Sequence, residues 1–412
     1  MKAKSKKTLK SIITVGLALL MLLPLAACGT PAATSAPAAN TTAPAAEATP
    51  APAQPAPTGT YKLNLNHALS GPSGAFGISA QRGAEIAIKE VNDAGGVNGM
   101  MLELIADDNK GQPAEATAIA KRRYDEVMAA TLGPMGSVPL NIAPFADEKN
   151  VASFAAGLAT PGITNQGYTN AFRLHINDTA AAAVLATYFV QDMAMTKIAV
   201  FNDQNDYGNG GKEVVVKTLE SLGVPPVAVE GFKTGDVDFT PQIMKAKQLG
   251  AEVIIIWGMN TELALISKQV RALNLDCVIA GGGGMDSIPG YVVPAEDGSE
   301  GTIFVGWAPL ETNPNVKVFE DAYVAAHGVM PDINCYECYD WVKLCALALE
   351  ISGSDRLKFI DAIRTVSETY EGFYGIYNFN QNGDNQIPVQ ILRWEGENRV
   401  PIQSFDPTPF YE

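Results

Sequence analysis

The sequence predicts an α/β chain made of two doubly wound, Rossmann-like lobes. Three observations carry this. Apolar runs of strand length alternate along the chain with longer segments of helical spacing, the rhythm of parallel sheets covered on both faces. The runs are too numerous for one ordinary twisted sheet. And 412 residues at 47% hydrophobic hold enough apolar material for two cores.

The elements follow in order. Lys2, Lys4, Lys6, Lys7 and Lys10 form a cationic head, and residues 11–25 an apolar run short for a membrane span. It ends in Leu25-Ala26-Ala27-Cys28-Gly29, which resembles a bacterial lipobox with Cys28 as the lipidated first residue of the exported chain. A plain signal peptide or an anchor helix is the alternative. Residues 29–60 hold twelve Ala, seven Pro and seven Thr, with Glu47 as the one charge. Such a stretch has no large side chain to bury against its ordering entropy, so it reads as a tether. At about 3.1 Å per residue it reaches roughly 100 Å.

Residues 62–68 read as a strand, with Leu63 and Leu65 alternating against polar neighbours. The turn Ser70-Gly71-Pro72-Ser73-Gly74 follows. Residues 80–92 read as a helix, with Ala84, Ala87, Ile88 and Val91 on one face and Gly95-Gly96 as its stop. A strand at 102–106 and a helix at 113–128 repeat the unit. Further strands are expected at 197–201, 252–257 and 301–305.

Parallel sheets bind ligands outside the carboxyl ends of their strands. The loops there are 70–77, 133–138, 155–161, 202–208, 258–261 and 281–286. They are rich in Gly, Ser, Thr, Asn and aromatics and contain no Lys or Arg. They predict a largely uncharged cavity that hydrogen-bonds and stacks.

Charge excludes other classes. A formal net charge of −15, reaching −20 once the five leader lysines are removed, repels phosphate backbones and anionic lipid. Nucleic-acid partners are therefore not expected, and no cofactor motif appears. The glycines at 281–284 lack the Lys-Ser or Lys-Thr of a P-loop, and no G-x-S-x-G or H-E-x-x-H occurs. Asp107-Asp108 and the pair Asp203 and Asp206 could serve an exported hydrolase, against solvated or capping roles. Asp236 and Asp238 lack the spacing of a calcium loop. Cys335 and Cys338 have C-x-x-C spacing, and Cys338 and Cys345 share a helix face, which leaves buried thiols, a disulfide or a metal open.

The run Leu69-Ser-Gly-Pro-Ser-Gly-Ala-Phe-Gly77, then Gly83-Ala-Glu-Ile-Ala-Ile-Lys-Glu-Val-Asn92 and Ala94-Gly-Gly-Val-Asn-Gly99, closely resembles the opening of branched-chain amino acid ABC transporter substrate-binding proteins. Asp107-Asp108, Phe172-Arg173, Asn205-Asp-Tyr-Gly208, Asp238-Phe239 and Tyr339-Asp340 continue the pattern over residues 61–394. The resemblance implies the type I periplasmic-binding fold, with three hinge crossovers and closure around the ligand. Its implied division is 1–27 signal, 28–60 lipidated Cys28 and tether, 61–177 with 310–378 as lobe 1, and 178–309 with 379–412 as lobe 2. It implies an extracytoplasmic lipoprotein that passes an amino acid or related small carboxylate to ABC permease subunits and touches the membrane through its lipid alone.

The resemblance also implies site residues. Phe76 covers the ligand, Ser137, Leu158 (through its backbone) and Thr160 hold the carboxylate, and Tyr207 closes from the second lobe. Core packing is the alternative for the aromatics and helix capping for the hydroxyls. Hydroxyls and main-chain N–H groups at helix N-termini hold a carboxylate without a cationic side chain. Two departures stand out. The family's ammonium-binding acid falls on Gly282 or Gly283, and a family aromatic is replaced near Met259 and Asn260. Either Asp286 supplies the acid, or the ligand lacks an amine and is an aromatic acid or an amide. For Asp286 the other reading is a helix cap. Trp307 either stacks on ligand or belongs to hinge or core. A sensory receptor on the same fold is the remaining alternative.

Overall fold

The computed structural model describes residues 58–411 apart from 72, 134–136, 161, 308–309 and 311–312. Cys28, the export signal and nearly all of the tether lie outside the described residues.

The first sheet is all parallel in the order β2-β1-β3-β4-β5. It contains β1 (Thr60–His67), β2 (Met101–Asp108), β3 (Ala129–Leu132), β4 (Ala152–Ala155) and β5 (Ala171–Arg173). Leu63 and Leu65 are fully buried, as their alternation predicts. Between these strands run α1 (Gly74–Asp93), α2 (Pro113–Arg123) and α3 (Ser137–Lys149). Helix α1 starts six residues earlier than its apolar face suggests. The 70–74 turn leads straight into it, with Gly74 N–H donating to Gly71 O and Phe76 N–H to Ser73 O. Helix α2 stops earlier than expected, because Met128 N–H is drawn to Lys62 O as the chain joins β1.

The chain then crosses to a second sheet. Helix α4 (Asp178–Thr187) leads to β6 (Ile198–Asp203), α5 (Asp206–Ser221), β7 (Ala228–Phe232), α6 (Thr240–Gln248) and β8 (Val253–Trp257). Next come α7 (Asn260–Ala272), β9 (Val278–Gly281), the single turn α8 (Val293–Ala295) and β10 (Ile303–Gly306). It returns to the first lobe through α9 (Pro314–His327), α10 (Ile333–Ser352), α11 (Arg356–Ser367) and the small ribbon β11 (Glu371–Gly372) with β12 (Gly375–Ile376). The third crossing ends in the antiparallel hairpin β13 (Val389–Glu395) and β14 (Asn398–Phe405) on the second sheet, whose order is β14-β13-β10-β9-β8-β6-β7. Two sheets and three crossings match the expected architecture.

Each sheet is covered on both faces. In the first lobe, Ala116, Tyr124, Val138 and Ile142 form one apolar layer. On the opposite face α1 and α10 pack with their backbones close. A Cβ at Gly83 would stand 2.0 Å from Cys335 O, so only glycine permits that approach. Cys335, Cys338 and Cys345 are buried in this seam with free thiols, as is Cys277 elsewhere. Among the described residues no His, Cys, Asp or Glu group is arranged to hold a metal, and no helix is long and apolar enough to cross a membrane.

The crossings are tied by charge. Arg173 Nε donates to Asp384 at 2.8 Å, with both side chains buried, and Asn177 Nδ2 donates to the same carboxylate at 3.2 Å. Asn385 Nδ2 faces the carbonyls of Arg173, Leu174 and His175. Removing one partner of such a pair leaves a buried charge alone. Arg173→Met is therefore expected to lower stability by about 3–5 kcal/mol, read as a reduced urea midpoint. Arg173→Met with Asp384→Leu should recover most of that loss.

Candidate functional site

Both sheets share one topology at their centre. The first runs 2-1-3-4-5, and the second repeats it as β7-β6-β8-β9-β10. In such a sheet the switch point lies between the first and third strands, where adjacent loops part in opposite directions. In the first lobe the loops after β1 and β3 lead to Phe76 and Ser137. In the second the loops after β6 and β8 lead to Tyr207 and Met259. Four of the seven expected residues, Phe76, Ser137, Tyr207 and Met259, thus follow the switch-point strands, while Leu158 and Thr160 follow β4 and Asp286 follows β9.

The loop after β4 is braced from behind. Gly157 N–H donates to Glu337 Oε2 at 2.6 Å, and Leu158 O accepts from Arg173 Nη1 at 2.9 Å. Gly157 has φ +63°, and a Cβ there would lie 2.2 Å from Asn334 Oδ1, so the bend requires glycine.

A cavity of about 160 Å³ lies between the lobes. Its walls include Ala159 from the braced loop, His175 and Asp178 from the first crossing, Tyr207 and Gly283 from the second lobe, and Trp307 just past β10. A larger hollow of about 560 Å³ lies elsewhere, lined by Phe319, Tyr339 and Phe373 beside α9 and α10. It is away from the strand ends, whereas the smaller cavity lies beside them, where a parallel sheet binds its ligands.

The cavity is not the uncharged chamber that the loops predict. Asp178, at the start of α4, is 5% exposed, with its N–H bonded to Ala159 O at 3.1 Å. Burial pushes its carboxyl up to about 7, against the opposing pull of His175 and Arg173. Behind His175, the buried Glu337 faces His175 Nδ1 at 2.6 Å. Asp286 forms an ion pair with Arg399 at 2.6 Å. Tyr207 lies tilted against Trp257 at 6.5 Å between ring centres. Burial, and then the charge of Asp178, push its hydroxyl well above its ordinary range. The charges were missed because the walls also come from the crossings and from residues behind them.

Of the seven ligand residues expected, Tyr207 and Asp286 line the cavity, and Leu158 and Thr160 flank its lining residue Ala159. Phe76 in the first turn of α1 and Met259 before α7 are half exposed and do not line it, nor does Ser137 at the start of α3. Asp286 is already neutralised by Arg399, whereas no cation pairs with Asp178 among the described residues. Asp178, His175 and Glu337 were not singled out by sequence. Asn177-Asp178-Thr179 has the look of a helix start, and Asn177 does cap α4 by accepting from Thr179 N–H. The other acids that sequence raised have structural duties. Asp107 pairs with Arg122 and Arg123, Asp108 accepts from Leu69 N–H and Ser70, and Asp203 accepts from Asn205 and Thr234.

A family model described as periplasmic binding protein matches residues 60–398. A leucine-, isoleucine-, valine-, threonine- and alanine-binding protein of Pseudomonas aeruginosa is 29% identical over 81% of this chain and 90% of its own length. The crystal structure of a leucine-binding protein from Thermotoga maritima superposes with a TM-score of 0.70 at 26% identity, covering 85% of this chain and 99% of that one. A branched-chain amino acid transporter substrate-binding protein from Streptococcus pneumoniae, solved with isoleucine, has a TM-score of 0.68 at 23% identity, covering 83% and 99%. With both switch points, the three crossings and the match over nearly the whole folded body in agreement, the chain belongs to the periplasmic binding protein family, of the type I fold and the branched-chain amino acid ABC transporter substrate-binding kind.

Proposed function

We propose that this chain is the extracytoplasmic solute receptor of an ABC importer, and that it closes its two lobes over an α-amino acid and presents it to permease subunits. The observation that carries the amino-acid reading is Asp178, a buried acid on the cavity wall with which no cation pairs among the described residues. Its burial costs free energy in the empty protein, and a ligand ammonium offsets that cost. The missing acid at Gly282 or Gly283 then needs no replacement from Asp286, which stays with Arg399.

The remaining polar groups divide the work. Thr160 and Leu158 N–H, on either side of the lining residue Ala159, take the ligand carboxylate, each charge-assisted bond contributing roughly 1.5–3 kcal/mol. Tyr207 joins Asp178 at the ammonium from the second lobe. Phe76 and Met259 shield the site as the lobes close. Closure follows from the ligand's greater affinity for the closed form. No bond is made or broken in this scheme, so the chain acts by binding and not by catalysis. The lysine head, the apolar run and Cys28 support a lipid anchor on the outer face of the cell membrane, with the tether as spacer.

Affinity should depend on pH through Asp178. In the empty protein its carboxyl holds a proton below about 7, and the ammonium needs the carboxylate. The dissociation constant should therefore rise as pH falls below 7, approaching about tenfold per pH unit. Asp178→Asn should weaken amino-acid binding by about tenfold or more and flatten this profile in calorimetry from pH 8 to 5. An unchanged profile in the variant would remove the assignment.

Gly283 offers a rescue. A Cβ there meets nothing within 4 Å, whereas one at Gly282 would lie 2.8 Å from the Trp257 ring. Gly283→Glu in the Asp178→Asn background should restore at least part of the affinity without lowering Tm.

Thr160→Ala and Tyr207→Ala should each weaken binding at least about tenfold while leaving the thermal midpoint in place. If neither changes affinity, the carboxylate and ammonium ends are wrongly placed.

A further inference from the structure

The hollow beside α9 and α10 holds about 560 Å³, the size of a small-molecule site, and the binding scheme above does not use it. One face of α9 forms a wall, where Val318, Phe319, Ala322, Tyr323, Ala326 and His327 recur at helical spacing. Ala322 and Ala326 are exposed on that face, and their short side chains leave the gap open. Phe319 spans it, meeting Phe373 at 4.9 Å and Tyr339 at 5.3 Å between ring centres. The opposite side is braced. Buried Asp340 accepts from Tyr370 OH at 2.6 Å, Tyr377 OH at 3.0 Å and Phe373 N–H at 3.1 Å. A Cβ at Gly372 would stand 2.4 Å from its Oδ2, so the ribbon is seated directly on this acid.

The lining is aromatic and acidic. Phe319, Tyr339, Tyr370 and Phe373 line the hollow and are each only half buried. Apolar surface gathered in this way on a soluble domain marks a place where something binds. The Glu90 carboxylate accepts from Tyr339 OH at 2.6 Å and pairs with Lys343 Nζ at 2.9 Å, and the same ammonium lies over the Tyr339 ring at 5.4 Å. This wall thus already holds a cation between a ring and a carboxylate. Glu371 adds a second exposed acid, with which no cation pairs among the described residues. On a chain of net charge −15, such surroundings draw cations and repel anions.

We propose that this hollow is a second binding site, separate from the cavity between the lobes, for a small organic cation with an aromatic body. The rings of Phe319, Tyr339 and Phe373 take the flat body and the face of the ammonium. Glu90 and Glu371 supply the counter-charge. The site stands apart from the amino-acid reading above, and neither depends on the other.

Titration calorimetry of the full chain with 2-phenylethylammonium, 2-phenylethanol and phenylacetate tests this, since the three share a ring and differ in charge. The ammonium should bind at least about fivefold tighter than the alcohol, and phenylacetate weakest. Ala322→Phe, at an exposed position, should fill the hollow and abolish ammonium binding without lowering Tm. Glu90→Gln should weaken the ammonium about threefold and leave the alcohol unchanged. Phenylacetate binding as tightly as the ammonium, ammonium binding undiminished in Ala322→Phe, or equal losses for ammonium and alcohol in Glu90→Gln would overturn the proposal. Binding of none of the three at millimolar concentration would overturn it as well. A concentration-dependent dimer in sedimentation that Ala322→Phe dissolves would give the hollow to a second copy of the chain and overturn it too.

Discussion

A charge buried where two lobes meet must find a partner, and that requirement organises this molecule. Arg173 answers it for Asp384, and at the same time its Nη1 holds Leu158 O. Glu337 answers it with Gly157 N–H at one oxygen and His175 at the other. These contacts reach from the crossings and from α10 into the loop after β4, whose Ala159 lines the cavity. The same bonds that make the seam tolerable also fix the binding loop before any ligand arrives. Such prior ordering lowers the entropy that binding must overcome.

Asp178 is the acid that this network leaves without a cation. Its position matters as much as its charge. It stands at the first crossing, with its own N–H on Ala159 O in the first lobe and its helix packed in the second. An acid at the pivot moves little when lobes close, unlike one on a loop at the far lip. In the proposed binding mode both poles of an amino acid are met near the hinge, and the second-lobe loop of glycines is relieved of an electrostatic duty. That is a physical reason for glycine to be tolerated at Gly283, where a side chain would have room.

The sequence made the scaffold legible because strand burial is local. Leu63 and Leu65, the apolar 253–257 run and the glycine-rich turns announce themselves within a few residues. Tyr207 was legible for the same reason, since Asn205-Asp206-Tyr207-Gly208 follows a clear strand and Asn205 caps α5. The electrostatics of the site were not legible. Glu337 lies between Cys335 and Cys338 and invites a thiol-based reading, while its partner His175 is 162 residues away. Asp286 could be taken as a free acid because Arg399 stands on a hairpin at the other end of the lobe's sequence. Loops after strands supply Ala159, Tyr207, Gly283 and Asp286 to the cavity, but a wall is also built by what stands behind them. Partners that only tertiary structure brings together leave no spacing to read.

Arg399 decides how many negative charges the cavity offers. Two carboxylates in a space of about 160 Å³ repel, and one of them takes up a proton at neutral pH. The C-terminal hairpin lowers this repulsion by placing a guanidinium against Asp286, over the Trp394 ring at 5.8 Å. Glu337 is occupied at both oxygens and set behind His175. Asp178 is then the acid on the cavity wall that no cation pairs with among the described residues. The antiparallel hairpin appended to a parallel sheet thus sets the charge on the cavity wall.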